Sequence, residues 1–164
     1  MALAPEIRAI YTSPQHVYFG HHGKPPGREP MQEQEQVNCV AGAGIEGDRF
    51  FSWTENYKGQ ITFFEEEVYD ELCGQLETEG SGPSVFRRNV VTRGIRLQEL
   101  IGERFTLQGV MFEGSEEASP CYWMDEAFAP GAEELLRGRG GLRARILSDG
   151  VLSTGPADHE IDGS

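Results

Sequence analysis

Short β-prone segments interrupted by glycine and proline constrain the fold of this 164-residue chain more than any other feature. The sequence contains 21 glycines and 9 prolines, which favour turns and interrupt long helices. Residues 7–11 form a β-prone run, and comparable runs recur along the chain between turn signals. The pattern therefore predicts a barrel-like, mainly β fold with a few short inserted helices. It disfavours a helical bundle and a doubly wound parallel sheet.

The predicted strands cover residues 7–11, 37–41, 60–64, 89–92, 104–108, 110–113, 142–147 and 151–154. Gly109 predicts a tight hairpin turn between the strands over residues 104–108 and 110–113, and Ser148–Gly150 predicts a second hairpin near the end of the sequence. Apolar residues at helical spacing predict a helix over residues 65–76. Shorter helices are expected to begin at Ser119–Pro120 and at Pro130, where proline suits the first helical turn.

The length indicates one domain, and we expect it to span residues 1–155. Within it, residues 13–36 predict a long loop or arm because glycine and proline are concentrated between Gly20 and Gly27. Residues 156–164 predict a flexible acidic tail.

The chain is strongly acidic, with 27 acidic and 14 basic side chains and a net charge of -13. Such a charge repels phosphate backbones and anionic lipids, so nucleic acid and membrane surfaces are not the expected partners. No apolar run approaches the ~20 residues that a bilayer crossing needs. The three cysteines cannot all pair within the chain and form no CxxC motif, which favours a reducing, cytoplasmic location.

Eight of the 14 basic side chains lie in two short segments, residues 87–96 and 137–145, neither of which contains an acid. Guanidinium groups bind phosphate and carboxylate in a planar, bidentate manner, and glycines at 138, 140 and 141 would let backbone amides approach the same anion. We therefore expect the two segments to meet at an anion site. The alternative is a set of structural salt bridges with Glu116, Glu117 or Glu65–Glu67.

Cys121 differs from the other two cysteines in its local sequence. Cys39 lies in a predicted strand and Cys73 in a predicted helix, so both are expected to be core residues. Cys121 follows Ser119–Pro120 at a predicted helix start, where the positive end of the helix dipole favours the thiolate. It is a candidate nucleophile, persulfide carrier or soft metal ligand, with a buried structural thiol as the alternative.

Two further motifs are weaker. Gly42–Gly47 matches the GxGxxG dinucleotide pattern, but no helical periodicity follows it, so we interpret it as a tight turn. His21–His22 lacks a second ligand pair at metal-site spacing and is interpreted as part of a solvated loop.

Four segments occur together in an order and spacing that resembles the MOSC domain, a family named for the C-terminal domain of molybdenum cofactor sulfurase. They are GIEGDRFF from Gly44, FRRNVVTRGI from Phe86, FEGSEEASPCYWMD from Phe112 and LRGRGGLRARIL from Leu136. The resemblance extends over about residues 7–152. It implies a β-barrel of the MOSC or pyruvate-kinase-barrel type, and a molybdenum cofactor (molybdopterin). It also implies that Cys121 ligates molybdenum or carries sulfur for cofactor sulfuration.

Taken with the arginine pattern, the resemblance assigns Cys121 as the catalytic residue and metal ligand. It suggests cofactor anchors at Arg87, Arg88, Asn89, Arg139 and Arg143, with Asp48 and Arg49 as further contacts. The expected partners are molybdopterin or another phosphate-bearing small molecule, and a sulfur-donor or electron-donor protein.

The family also leaves other activities open. This chain resembles the stand-alone members, without a pyridoxal phosphate site of its own. The alternatives are a molybdenum-dependent reductase of N-hydroxylated compounds that uses an external electron donor, a non-catalytic cofactor carrier, and an interaction module without metal. Related sequences often carry a second cysteine where this chain has Ala118, which argues against a dithiol mechanism.

Overall fold

The computed structural model describes residues 4–13, 31–77, 82–120, 124–125 and 128–161. Within these residues the chain is mainly β, as the sequence predicts, and helices are few and short. The strands are β1 (Glu6–Thr12), β2 (Gln32–Gln34), β3 (Gln36–Val40), β4 (Gly44–Ile45), β5 (Ile61–Glu65), β6 (Val90–Arg93), β7 (Arg104–Leu107), β8 (Val110–Glu117), β9 (Leu142–Ile146), β10 (Gly150–Ser153), β11 (Gly155–Pro156) and β12 (His159–Ile161). The helices are α1 (Glu66–Gln75) and α2 (Ala132–Leu136), with 3-10 turns at Pro83–Phe86 and Leu97–Leu100.

The strands form one large and one small sheet. The large sheet has the order β11-β1-β6-β5-β9-β8-β7-β12, and β2 also pairs with β1. Its pairs are antiparallel except for β5 and β6, which run parallel and are connected through α1. The small sheet has the order β10-β3-β4. The large sheet is therefore mixed, because a single helical crossover is inserted into an otherwise antiparallel arrangement.

The two edges of the large sheet are formed by neighbouring parts of the chain. At one edge β11 pairs with β1, and at the other edge β12 pairs with β7. Between these strands, Ala157 donates a backbone hydrogen bond to Pro5, and Asp158 accepts one from Gln108. The strand ladder itself remains open, because β11 and β12 pair with different neighbours and not with each other.

The main core lies on the inner face of the large sheet and contains three packed phenylalanines. Phe63 meets Phe112 edge to face at 5.5 Å between ring centroids, and Phe105 stacks on Phe112 at 5.4 Å. The alternation expected of a half-buried strand is clear in β9, where Arg143 and Arg145 are partly exposed and their neighbours are buried. β9 therefore directs both of its arginines away from the core.

Helix α1 covers a second apolar cluster. Its buried residues are Val68 and Leu72, one turn apart on the face that meets Phe86 and α2, while Glu66 and Glu67 occupy the first turn, where acids complement the helix dipole. None of the helices in the described residues is long and apolar enough to span a bilayer.

The predicted hairpin over residues 142–154 is wrong. β9 pairs with β8 and β5 in the large sheet, whereas β10 pairs with β3 in the small sheet. The turn between β9 and β10 carries the chain from one sheet to the other. It is fixed by Asp149 Oδ1, which accepts a hydrogen bond from Ala41 N at 2.8 Å. Turn residues in a sequence predict that the chain reverses, but they do not predict which strands pair on either side of the turn.

Within the stretch predicted as a flexible tail, residues 156–164, the described residues include strands: β11 pairs with β1 and β12 pairs with β7. The arm predicted for residues 13–36 falls mostly on residues 14–30, which lie outside the described residues, as does the His21–His22 pair. Its last part is ordered as β2, paired with β1.

Candidate functional site

Cys121 lies outside the described residues, but the segment that leads into it, residues 118–120, is described and is held by Arg88. The Arg88 guanidinium donates from Nη2 to the carbonyl oxygens of Ala118 at 2.8 Å and Ser119 at 3.3 Å. From its other nitrogens it donates to Gly140 O and Phe86 O, both at 2.9 Å. One side chain therefore joins three parts of the backbone.

The second arginine-rich segment packs against the same residues through its glycines. A side chain at Gly140 would overlap the carbonyl oxygen of Ala118, and one at Gly141 would overlap that of Phe63. Ala118 N in turn donates to Gly141 O at 2.9 Å. The two segments meet, as expected from the sequence, but these glycines allow close backbone packing rather than access for an anion.

Asn89 is buried and joins two strands by hydrogen bonds. Its Oδ1 accepts from Thr62 N at 3.0 Å and from Thr62 Oγ1 at 3.1 Å, and its Nδ2 donates to Tyr11 O at 3.1 Å. Both ends of the amide are thus used within the protein.

Arg143 lies on β9 directly across from Thr62 on β5, so the site residues Asn89 and Arg143 are brought together through Thr62. Arg143 Nη1 donates to Glu116 Oε1 at 3.3 Å, and Lys58 Nζ lies 2.8 Å from the same oxygen. These cations, Lys58 above all, lower the pKa of Glu116 from its ordinary value. Arg143 remains partly exposed beside this pair.

Asp48 and Arg49 form a compact group next to the Arg87 backbone. The buried Asp48 carboxylate accepts from Ser13 N at 3.0 Å and from Phe50 N at 3.3 Å. Arg49 lies over the Phe50 ring at 4.6 Å and donates from Nη2 to Arg87 O at 3.2 Å. Burial lowers the pKa of the Arg49 guanidinium, and Asp48 opposes that effect. Both residues organise the loop that precedes β5.

Arg87 adopts a left-handed backbone conformation, with φ of 60° and ψ of 37°. This region is unusual for a residue with a side chain and costs about 1–3 kcal/mol. Since Arg49 donates to the Arg87 carbonyl oxygen, the backbone of this strained residue is held in place immediately before Arg88 and Asn89.

Most of the other arginines in the two segments form ion pairs. Arg93 contacts Glu66 and Asp70, both at 2.7 Å, and Arg139 contacts Glu71 at 2.6 Å. The remaining pairs are Arg137 with Glu134 and Arg145 with Glu113. The salt-bridge interpretation therefore accounts for much of the arginine clustering that the sequence suggested as an anion site.

The two described cysteines differ in environment. Cys39 is a core residue of β3, as expected, and burial raises the pKa of its thiol to about 12. Cys73 is only partly buried on α1. Gly42–Gly47 forms a turn that includes β4 and leads into no helix, which confirms the turn interpretation. In the described parts of the chain, no group of three or more His, Cys, Asp or Glu side chains is placed to hold a metal ion.

Sequence reasoning missed Thr62 and Glu71. Thr62 is the polar residue between the apolar residues Ile61 and Phe63 of β5, which is the signal that could have identified it, and it aligns Asn89 with β5. Glu71, the partner of Arg139, is one acid among several on α1, so its sequence position carries no comparable signal.

These features define a mainly β domain in which an arginine braces the segment leading to a single cysteine. The chain belongs to the MOSC domain family, whose model matches residues 20–157. The family is associated with binding of the molybdenum cofactor, so this is a domain of the molybdenum cofactor-binding type.

The fold is similar to that of three crystal structures at low sequence identity. The YUAD protein from Bacillus subtilis is 17% identical, with a TM-score of 0.75 over 97% of this chain and 96% of its own. The YiiM proteins from Geobacillus stearothermophilus and Escherichia coli are each 16% identical. Their TM-scores are 0.65 and 0.63, with 96% and 97% of this chain covered and 74% and 70% of theirs. No curated protein matches the sequence.

Proposed function

We propose that this MOSC domain binds molybdopterin through its phosphate and pterin groups, and that Cys121 ligates molybdenum or carries the sulfur destined for it. The observation that carries the proposal is the position of Arg88, which fixes the backbone of Ala118 and Ser119 immediately before Cys121. A permanent cation beside this segment favours the thiolate, which is the form that acts as nucleophile and metal ligand.

The candidate anchors fall into two groups, according to whether their hydrogen bonds join parts of the protein or leave N–H donors able to contact a ligand. A pterin phosphate requires guanidinium groups that can turn their N–H donors toward it. The hydrogen bonds of Arg88, Asn89 and Asp48 join parts of the protein to one another, so we assign these three residues to holding the site in shape.

The residues that fit direct contact are Arg87 and Arg143. Arg143 is partly exposed beside Thr62 and Asn89, and the Arg87 backbone is fixed next to the same pair. Arg49 helps to position Arg87, and Arg139 is directed to Glu71. When bound, the cofactor supplies a molybdenum centre able to accept sulfur or exchange electrons. The protein supplies the thiolate, the cations that hold the phosphate, and a braced backbone.

The proposal is tested by molybdenum content after expression in a host fed with molybdate. We expect molybdenum and bound pterin to copurify with the full chain, and Cys121→Ser to reduce the molybdenum content or to remove protein-bound sulfur. Cys73→Ser is the matched control, because Cys73 lies on α1 and is not part of the segment that Arg88 holds. Equal loss from both variants with folding intact would disprove the assignment of Cys121.

A mass measurement of the intact protein separates the two roles of the cysteine. If Cys121 carries sulfur, part of the protein should gain the mass of one sulfur atom, and reducing agents should remove it. If Cys121 is a ligand, the molybdenum content should fall in Cys121→Ser without such a reducible species in the parent protein. Failure to find either would contradict the proposal.

A further inference from the structure

A cavity of about 300 Å³ lies where the two arginine-rich segments approach each other. It is bounded by the junction of β5 and α1, the 3-10 turn at Leu97–Leu100 and the loop that follows α2. Cavities of this size are at the lower end of the range that holds small molecules. The lining residues are Glu65, Val68, Arg96, Gln98, Glu99 and Arg139.

The two arginines of the cavity are in different states. Arg139 is fixed, since its Nη1 contacts Glu71 at 2.6 Å and its Nε donates to Leu135 O at 3.0 Å. Arg96, in contrast, forms no ion pair with any residue that the structure describes. One guanidinium is therefore held in place, and the other is able to close on a bound group.

The cavity also contains two carboxylates, Glu65 and Glu99, so its lining is balanced in charge. Burial and the nearby Glu67 raise the pKa of Glu65, while Arg96, Arg139 and a backbone hydrogen bond from Leu97 act in the opposite direction. A second cation would favour the charged form of this partly buried carboxyl group. A phosphate dianion would instead meet like charges on two sides.

Gly138 adjoins Gln98, one of the lining residues of the cavity. Its φ of 81° favours glycine, and an added Cβ would lie in ordinary contact with Gln98 Nε2, 3.8 Å away. The polar groups of the lining thus include a cation pair, a carboxylate pair and an amide within a single small volume.

We propose that this cavity binds a small zwitterion of the α-amino acid class. Arg96 and Arg139 hold its carboxylate, and Glu65 and Glu99 hold its ammonium group. The site requires neither Cys121 nor molybdopterin, so it stands or falls independently of the proposed function.

The test uses L-glutamine as the probe with the full chain, measured by isothermal titration calorimetry and by backbone amide shifts in NMR spectra. We expect a dissociation constant of roughly 1 mM, typical of a small solvent-accessible polar site. Removal of the ammonium group (4-carbamoylbutanoate) or of the carboxylate (4-aminobutanamide) should weaken binding by about tenfold or more, since each loss leaves charged groups unpaired.

Two variants test which side chains hold the carboxylate and which hold the ammonium group of the ligand. Arg96→Ala should weaken L-glutamine binding by about tenfold, whereas Arg104→Ala, with the same change of charge on an exposed β7 residue, should leave it unchanged. Glu99→Gln should weaken binding of L-glutamine but not of 4-carbamoylbutanoate. The proposal is overturned if L-glutamine causes no shifts at the cavity, if inorganic phosphate binds more tightly than L-glutamine, or if Arg96→Ala matches Arg104→Ala.

Discussion

Arg88 shows how one residue in a cluster of like charges takes a different role from its neighbours. Its guanidinium reaches backbone carbonyls in three separate parts of the chain, including the segment before Cys121. The planar fork of arginine donates in several fixed directions, which the single ammonium of lysine cannot do. The sequence predicts that arginines gather here, but it does not reveal whether each one faces a carbonyl, a carboxylate or a ligand.

Replacing Arg88 tests its structural role. We expect Arg88→Ala to lower the free energy of unfolding by about 2–4 kcal/mol, because the carbonyls of buried Phe86 and Ala118 lose a charged donor. Arg88→Lys should restore less than half of this loss. Urea denaturation provides the measurement, and Arg104→Ala is the control, with a change within about 0.5 kcal/mol. A similar effect of both substitutions would contradict the bracing role.

Arg87 allows the anchoring role to be separated from stability. Glycine tolerates φ of 60° without strain, so in Arg87→Gly the relief of the backbone offsets part of the lost side-chain contacts. We expect a thermal midpoint within about 5 °C of the parent protein and a loss of most bound pterin. Fluorescence of the released pterin gives the occupancy. Full occupancy in this variant would remove Arg87 from the set of anchors.

The buried thiol of Cys39 predicts a dependence of stability on alkaline pH. Its pKa is about 12 in the folded protein and about 9.0 in the unfolded chain, so both states hold the proton below pH 9. At higher pH the unfolded state releases its proton first, and stability falls by about 1.4 kcal/mol per pH unit until the folded thiol also ionises. Denaturation at pH 8 and pH 10 should show this loss in the parent protein and a smaller one in Cys39→Ala.

At the scale of elements, close packing between the loop after α2 and residues 118–120 depends on glycine. In Gly140→Ala the added methyl group would overlap Ala118 O, and we expect a loss of about 2 kcal/mol or more. Gly74→Ala is the matched control, because Gly74 lies in α1 with open space around it and alanine favours the helix. The control should gain about 0.5–1 kcal/mol. Thermal unfolding of the two variants should therefore shift in opposite directions.

Individual elements were more predictable from the sequence than their partners. The helix predicted over residues 65–76 and the strand over 7–11 correspond to α1 and β1, because the periodicity of buried residues is a local property. The hairpin over 142–154 failed since β9 and β10 belong to different sheets, and a turn sequence does not encode that choice. In the site, the meeting of the two arginine segments was predictable, whereas the carbonyl partners of Arg88 were not.

At the scale of the whole molecule, the large sheet does not close on itself. Its two edges therefore depend on β11 and β12 for backbone hydrogen bonds. A chain that ends after Asp158 lacks β12 and exposes the backbone donors and acceptors of β7. We expect it to unfold at a lower temperature and to associate at high concentration, as measured by calorimetry and light scattering. A chain that ends after Ile161 keeps β12 and should remain similar to the parent. If both shortened chains remain monomeric, the exposed edge of β7 does not cause association and this prediction is wrong.

The placement of residues 155–161 also has a consequence for synthesis. A ribosome delivers these residues after the other described strands, so β7 and the Glu6–Ile7 end of β1 lack these partners until they emerge. Pairing with β1 spans nearly the whole sequence, and contacts of such long separation form slowly. Until then, the unpaired strand edges of the nascent chain are able to pair with strands of neighbouring chains. Residues 155–161 complete the sheet and so remove these exposed edges.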